Sequence, residues 1–152
     1  MRCNFLDYET AENKIKEIID SKAPDILQKV VDFFYYKFEN YSWVGIYVVE
    51  GDDLVLGSWT GLKATDHIRI PIGKGICGSA ASTGKTEIVP DVGADDRYLS
   101  CFFSTKSEIV VPIKRDGKII AEIDIDSDIK NAFTNEDKLF LEKIADMLAK
   151  HI

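Results

Sequence analysis

The chain has 152 residues, 45% of them hydrophobic, which fits one domain with a real core. Twenty-six acidic against nineteen basic residues give a net charge of −7, a balance that repels nucleic acid and anionic membranes. No apolar run approaches the ~20 residues that span a bilayer, and Met1-Arg2-Cys3-Asn4 lacks a signal peptide's apolar stretch. One domain over 1–152, located in the cytoplasm, is expected.

The three cysteines, Cys3, Cys77 and Cys101, are odd in number and widely spaced, unlike a secreted disulfide framework. There is no Cys-x-x-Cys, and the two histidines, His67 and His151, stand far apart. A structural zinc site lacks its usual spacings, and no metal is expected.

In chain order, Ala11, Ile15, Ile18 and Ile19 mark a helix over 9–20. Ser21 is a candidate cap for a second helix, with Pro24 in its first turn and Leu27, Val30, Val31, Phe34 and Phe38 as its apolar stripe. These helices carry no evident chemistry and cover a sheet face or pair with a second subunit, which leaves a homodimer open. Ser42–Val49 and Leu54–Trp59 read as a hairpin around Gly51-Asp52-Asp53. Trp43 and Tyr47 share one face of the first strand, as core residues or as walls of a slot beside a polar site.

Residues 66–72 alternate as a third strand, ending at Pro71. Gly73-Lys74-Gly75 leads into a small-residue helix, Ile76 to Ser82, stopped by Gly84; the Gly-Lys-[Ser/Thr] ending of a phosphate loop is absent. Cys77 stands in this helix's first turn, where the dipole lowers a thiol pKa; a buried structural cysteine is the other reading. Thr86–Val89 is a fourth strand. Val92–Lys106 lacks periodicity, the mark of a functional loop, and Cys101 lies in it, where a thiol is accessible.

Glu108–Lys114 and Lys118–Ser127 form a hairpin on the Asp116-Gly117 turn. Glu122, Asp124 and Asp126 share one face of its second strand, as a solvated surface or as a site for an ammonium group. An ideal register puts Glu108 on the opposite face; a bulge near Pro112 would bring it to the aspartates. Thr134-Asn135-Glu136-Asp137 caps a last helix running to Ile152. The order gives an α+β fold with about six strands, mostly antiparallel.

Ser42-Trp43-Val44-Gly45-Ile46-Tyr47, Leu54-Val55-Leu56-Gly57 and the run from Arg69 to Gly78 resemble the free methionine-(R)-sulfoxide reductases. So do Cys101, Ser107-Glu108-Ile109-Val110-Val111-Pro112 and Ile123-Asp124-Ile125-Asp126-Ser127. The resemblance spans roughly residues 40–140 and implies a single GAF domain. It implies that Cys101 attacks the sulfoxide sulfur and becomes a sulfenic acid, and that Cys77 then forms a disulfide with it, which thioredoxin reduces. It also implies a substrate pocket of Trp43, Tyr47, Glu108, Asp124 and Asp126, with no cofactor beyond an external dithiol. His67 occupies the position where many members carry another cysteine, so Cys77 alone must resolve. Phe102-Phe103 follows Cys101, where members often carry a polar residue. The competing reading is a non-catalytic GAF sensor of a small ligand, with a peroxide-type switch as a third.

Overall fold

The computed structural model describes residues 7–99, 102 and 104–152. Helix α1 spans Tyr8–Asp20 and α2 spans Ile26–Lys37. Strands β1 (Trp43–Glu50), β2 (Asp53–Gly61) and β3 (Arg69–Pro71) precede α3 (Gly75–Thr83). Then follow β4 (Glu87–Val89), β5 (Ser107–Arg115), β6 (Lys118–Ser127) and α4 (Asn135–Leu148). The strands form one antiparallel sheet in the order β3-β2-β1-β6-β5-β4, so the expected α+β, six-stranded architecture holds.

Two expectations are corrected. Ser21 closes α1 instead of opening α2: its amide bonds back to Glu17 and its hydroxyl to Ile18. The second helix starts past Pro24, with Asp25 at its N-cap. The third strand is only Arg69–Pro71, paired with Asp53–Val55 of β2, and single bonds from the Leu56 amide to the Ile68 carbonyl and from the Ile72 amide to the Asp52 carbonyl flank it.

Pleating gives the sheet two apolar faces. Val44, Ile46, Ile109, Val111, Ile123 and Ile125 meet Ile15, Val31, Phe34, Leu141 and Ile144 of the helices. On the opposite face Trp43, Tyr47 and Val110 meet Ile76, Cys77 and Ala80 of α3. Helix α3 approaches so closely that a methyl group on Gly78 would sit 2.7 Å from the Pro71 carbonyl oxygen. Gly84, in the left-handed region at φ 72°, ends this helix as anticipated.

Asp137 ties the ends of the chain together. Its carboxylate completes a capping box with Thr134 at the start of α4. The same carboxylate accepts hydrogen bonds from Tyr8 of α1 at 3.0 Å and from Tyr41, just before β1, at 2.7 Å. Burial, then the charge of Asp137, pushes the Tyr8 hydroxyl up to about 12. Asp137→Ala removes a cap and two charge-assisted bonds, so a loss of about 2–4 kcal/mol is expected in urea unfolding. A loss under about 1 kcal/mol would show that Asp137 does not hold these elements together.

Candidate active site

The site is built from three cross-strand rows on the α3 face of the sheet. In the first, Trp43 of β1, Asp126 of β6 and Glu108 of β5 stand side by side. In the second come Gly45, Asp124 and Val110; in the third, Tyr47, Glu122 and Pro112. Glu108 reaches this face through a bulge. Lys114 pairs with Ile119 but Ile113 pairs with Ala121, so Ile120 has no opposite number. The anticipated phase change therefore exists, one residue beyond Pro112 on β5.

Trp43 owes its place to glycines. Its indole lies over Gly45 and Gly61, where any side chain would collide with the ring. It stacks with Trp59 at 6.2 Å and 15°, and meets Phe102 at 5.8 Å. Trp43, Phe102, Leu62 and Asp126 are among the walls of an open pocket of about 450 Å³. Tyr47, Glu108, Asp124, Cys77 and His67 line a separate cleft of only about 10 Å³. The five expected substrate residues thus share one sheet face but divide between two cavities. Cys101 and Cys3 lie outside the described residues.

All the carboxylates here are buried: Glu108 is 5% exposed, Asp124 3%, Asp126 2% and Glu122 0%. Among the described residues, Asp124 Oδ1, Asp126 Oδ1, both Glu122 oxygens and Trp43 Nε1 have no hydrogen-bond partner. Burial pushes Glu122 and Asp126 well above the usual carboxylate range, and the charge of Asp124 adds to both. Burial raises Asp124 too, while a hydrogen bond with Glu108 and the proximity of His67 oppose the shift. An acidic face this dry favours either protons or a cation.

At Cys77 the structure bears out the buried reading over the low-pKa one. Cys77 does lie in the first turn of α3, yet its thiol is pushed well above its ordinary value. Burial is the main cause, followed by the charges of Asp124, Glu122 and Glu108. Its Sγ points at Glu108 Oε2 across 4.0 Å. A helix terminus carries only about half a charge, too little against three carboxylates in a dry site.

One buried residue at this site, Glu122, is absent from the expected substrate set, and Tyr47, which is in it, has a further task. The sequence leaves Glu122 open between a solvated face and an ammonium site, and α3 packing over it makes it internal. Tyr47 donates its hydroxyl to the His67 carbonyl at 2.7 Å, so the loop before β3 is fastened to the cleft.

Glu122 gives a pH-dependent prediction. Above its ordinary value of 4.5, folded Glu122 retains a proton that the unfolded chain has lost. Native stability is therefore drained as pH rises through that window. Glu122→Gln escapes this, so its stability relative to wild type should grow by about 1–3 kcal/mol between about pH 4.5 and 8 in urea titrations. A pH-independent difference would mean that Glu122 is solvated after all.

The GAF domain family model matches residues 23–152. The free methionine-R-sulfoxide reductase of Saccharomyces cerevisiae is 45% identical over 113 residues, covering 72% of this chain and 62% of that protein. A type II free methionine-R-sulfoxide reductase of Thermoplasma acidophilum superposes with a TM-score of 0.80 at 41% identity, over 90% of this chain and 93% of that one. The Neisseria meningitidis free methionine-R-sulfoxide reductase, solved in complex with its substrate, superposes at 0.89 with 31% identity, over 99% and 93%. The fold, the acidic sheet face and these likenesses agree: the chain belongs to the GAF domain family, alongside the free methionine-R-sulfoxide reductases.

Proposed function

We propose that the protein reduces free methionine (R)-sulfoxide to methionine with cysteine thiols. The observation that carries this reading is the buried acidic face beside Cys77, where Asp124 and Asp126 each hold an oxygen without a hydrogen-bond partner among the described residues. A free amino acid brings an α-ammonium group, which satisfies such oxygens and neutralises their charge. Trp43 and Phe102 then offer aromatic walls to the methyl-sulfinyl end in the open pocket. Tyr47 and Glu108 border the cleft beyond, which must widen to admit more than a water-sized group.

In the reaction, the Cys101 thiolate attacks the sulfoxide sulfur and takes the oxygen. Methionine leaves with two more electrons, and Cys101 becomes a sulfenic acid. A carboxylic acid kept protonated by its neighbours is suited to deliver the proton that the oxygen needs. The Cys77 thiol then attacks the sulfenic sulfur, water leaves, and a Cys77–Cys101 disulfide remains. The raised Cys77 thiol cannot ionise unaided, and Glu108, 4.0 Å away, is placed to receive its proton. Thioredoxin, present in a reducing cytoplasm, returns both thiols by exchange. No bound cofactor enters this cycle.

The test is mass balance. With a dithiol, racemic free methionine sulfoxide should be consumed to half, with one methionine formed per sulfoxide lost. Cys101→Ser should release none even in a single turnover. Cys77→Ser should release about one methionine per subunit and then stall with thioredoxin. Sustained thioredoxin-linked turnover in that variant would remove Cys77 from the cycle.

The carboxylates predict selectivity. Asp124→Asn and Asp126→Asn should each raise KM by roughly tenfold to a hundredfold, as expected for losing a charged hydrogen bond. Peptide-bonded methionine sulfoxide lacks the ammonium and should be reduced far more slowly than the free amino acid. Equal rates on the two substrates would leave the acidic face without a role.

A further inference from the structure

We propose that the reduced protein holds one thiophilic divalent cation of the zinc type at Cys77, Glu108 and Asp124, and that this ion competes with the amino acid. The cation site stands on geometry alone; the competition rests on the substrate reading above.

One donor atom from each of the three residues lies within 4.8 Å of the others, and all three side chains are buried. Zinc bonds of about 2.0–2.3 Å in a tetrahedron place neighbouring donors some 3.3–3.8 Å apart. The cluster needs to contract by about 1 Å, within the reach of side-chain rotation. An independent observation points the same way. Glu122 is 0% exposed, neither of its oxygens has a hydrogen-bond partner among the described residues, and it faces Cys77 and Asp124. A second uncompensated carboxylate beside the donors calls for positive charge at this point.

The donors select the ion. Magnesium and calcium seek six or more oxygens, and this cleft offers a sulfur and two carboxylates. A thiolate with carboxylates suits zinc, leaving a fourth position for water. Size favours an ion as well. The cleft holds about 10 Å³, so an ion enters where an amino acid must first part the walls. A Cys77 locked in a disulfide has no thiolate to give, so the oxidised protein should release the ion.

The test uses full-length, metal-free protein kept reduced with a phosphine. Zinc chloride is titrated against a chelating indicator, and cobalt(II) serves as the spectroscopic probe. One ion per chain is expected, with a thiolate-to-cobalt charge-transfer band in the near ultraviolet. Cys77→Ser should lose the band and at least tenfold in zinc affinity. Asp124→Asn and Glu108→Gln should each lose at least tenfold while keeping the native melting transition. Should Cys77→Ser fold poorly, Cys77→Ala carries the same expectation. Cys101→Ser and Cys3→Ser should retain both band and affinity. A band that survives Cys77 substitution, one that vanishes with Cys101 or Cys3, or no binding at micromolar zinc would each overturn the site. Methionine titrated into zinc-loaded Cys101→Ser protein separates the two readings. Weakened zinc binding supports shared carboxylates. Intact zinc binding indifferent to methionine overturns the competition alone, and methionine binding without zinc binding overturns the ion alone.

Discussion

Ile120 stands opposite no residue of β5, and the candidate site depends on that gap. In an unbroken hairpin from Asp116-Gly117, every residue beyond Ile113 would pair one place earlier. Glu108 would then share a face with Ile109's present neighbours, beneath α1, α2 and α4. A carboxylate in that helical core would cost several kcal/mol, and the apolar residues beside it would turn toward α3. One extra residue on β6 thus separates an oily face from an acidic one along the same two strands. It lets the pair serve the core on one side and chemistry on the other.

The acidic face is a place where the fold gives up stability. Three buried carboxylates crowd around a buried thiol, a fourth, Asp126, stands in the neighbouring row, and several of their oxygens find no donor within the described protein. Such clusters persist when the surrounding structure over-determines them. Here the frame is a six-stranded sheet fastened by Asp137 on one side and closed by α3 on the other. The frame lets the acids remain dry, and dryness gives them strong attraction for a cation and a tendency to hold protons.

Much of this was legible in the residues, because local rules and tertiary structure agree at those points. Thr134 with Asp137, Gly84 after a small-residue helix, and the Asp116-Gly117 turn each impose one backbone geometry, and all three appear as read. The alternation of Glu122, Asp124 and Asp126 also placed them on one face correctly. Where the reading failed, a distant partner decided. Ser21 reads as an N-cap because nothing local reveals that the chain leaves α1 there and restarts after Pro24. The strand around Arg69 keeps only three residues, with Tyr47 of β1 holding the His67 carbonyl just ahead of it. Cys77 follows its helix-terminus rule in position but not in acidity, since three acids from other strands surround it. The depth of Glu122 follows from α3 packing, and a two-residue alternation cannot distinguish a dry face from a wet one.

The indole of Trp43 lying across Gly45 and Gly61 has an optical consequence. The chain has two tryptophans, and both sit in this one stack beside the open pocket and Asp126. The protein's tryptophan fluorescence, excited at wavelengths where its six tyrosines do not absorb, therefore arises entirely from this stack at the cavity wall. Whatever enters there, moves Phe102, or changes the charge of Asp126 alters the surroundings of the emitting rings. The glycines that make room for a binding surface have also concentrated the molecule's own light source at its most informative point.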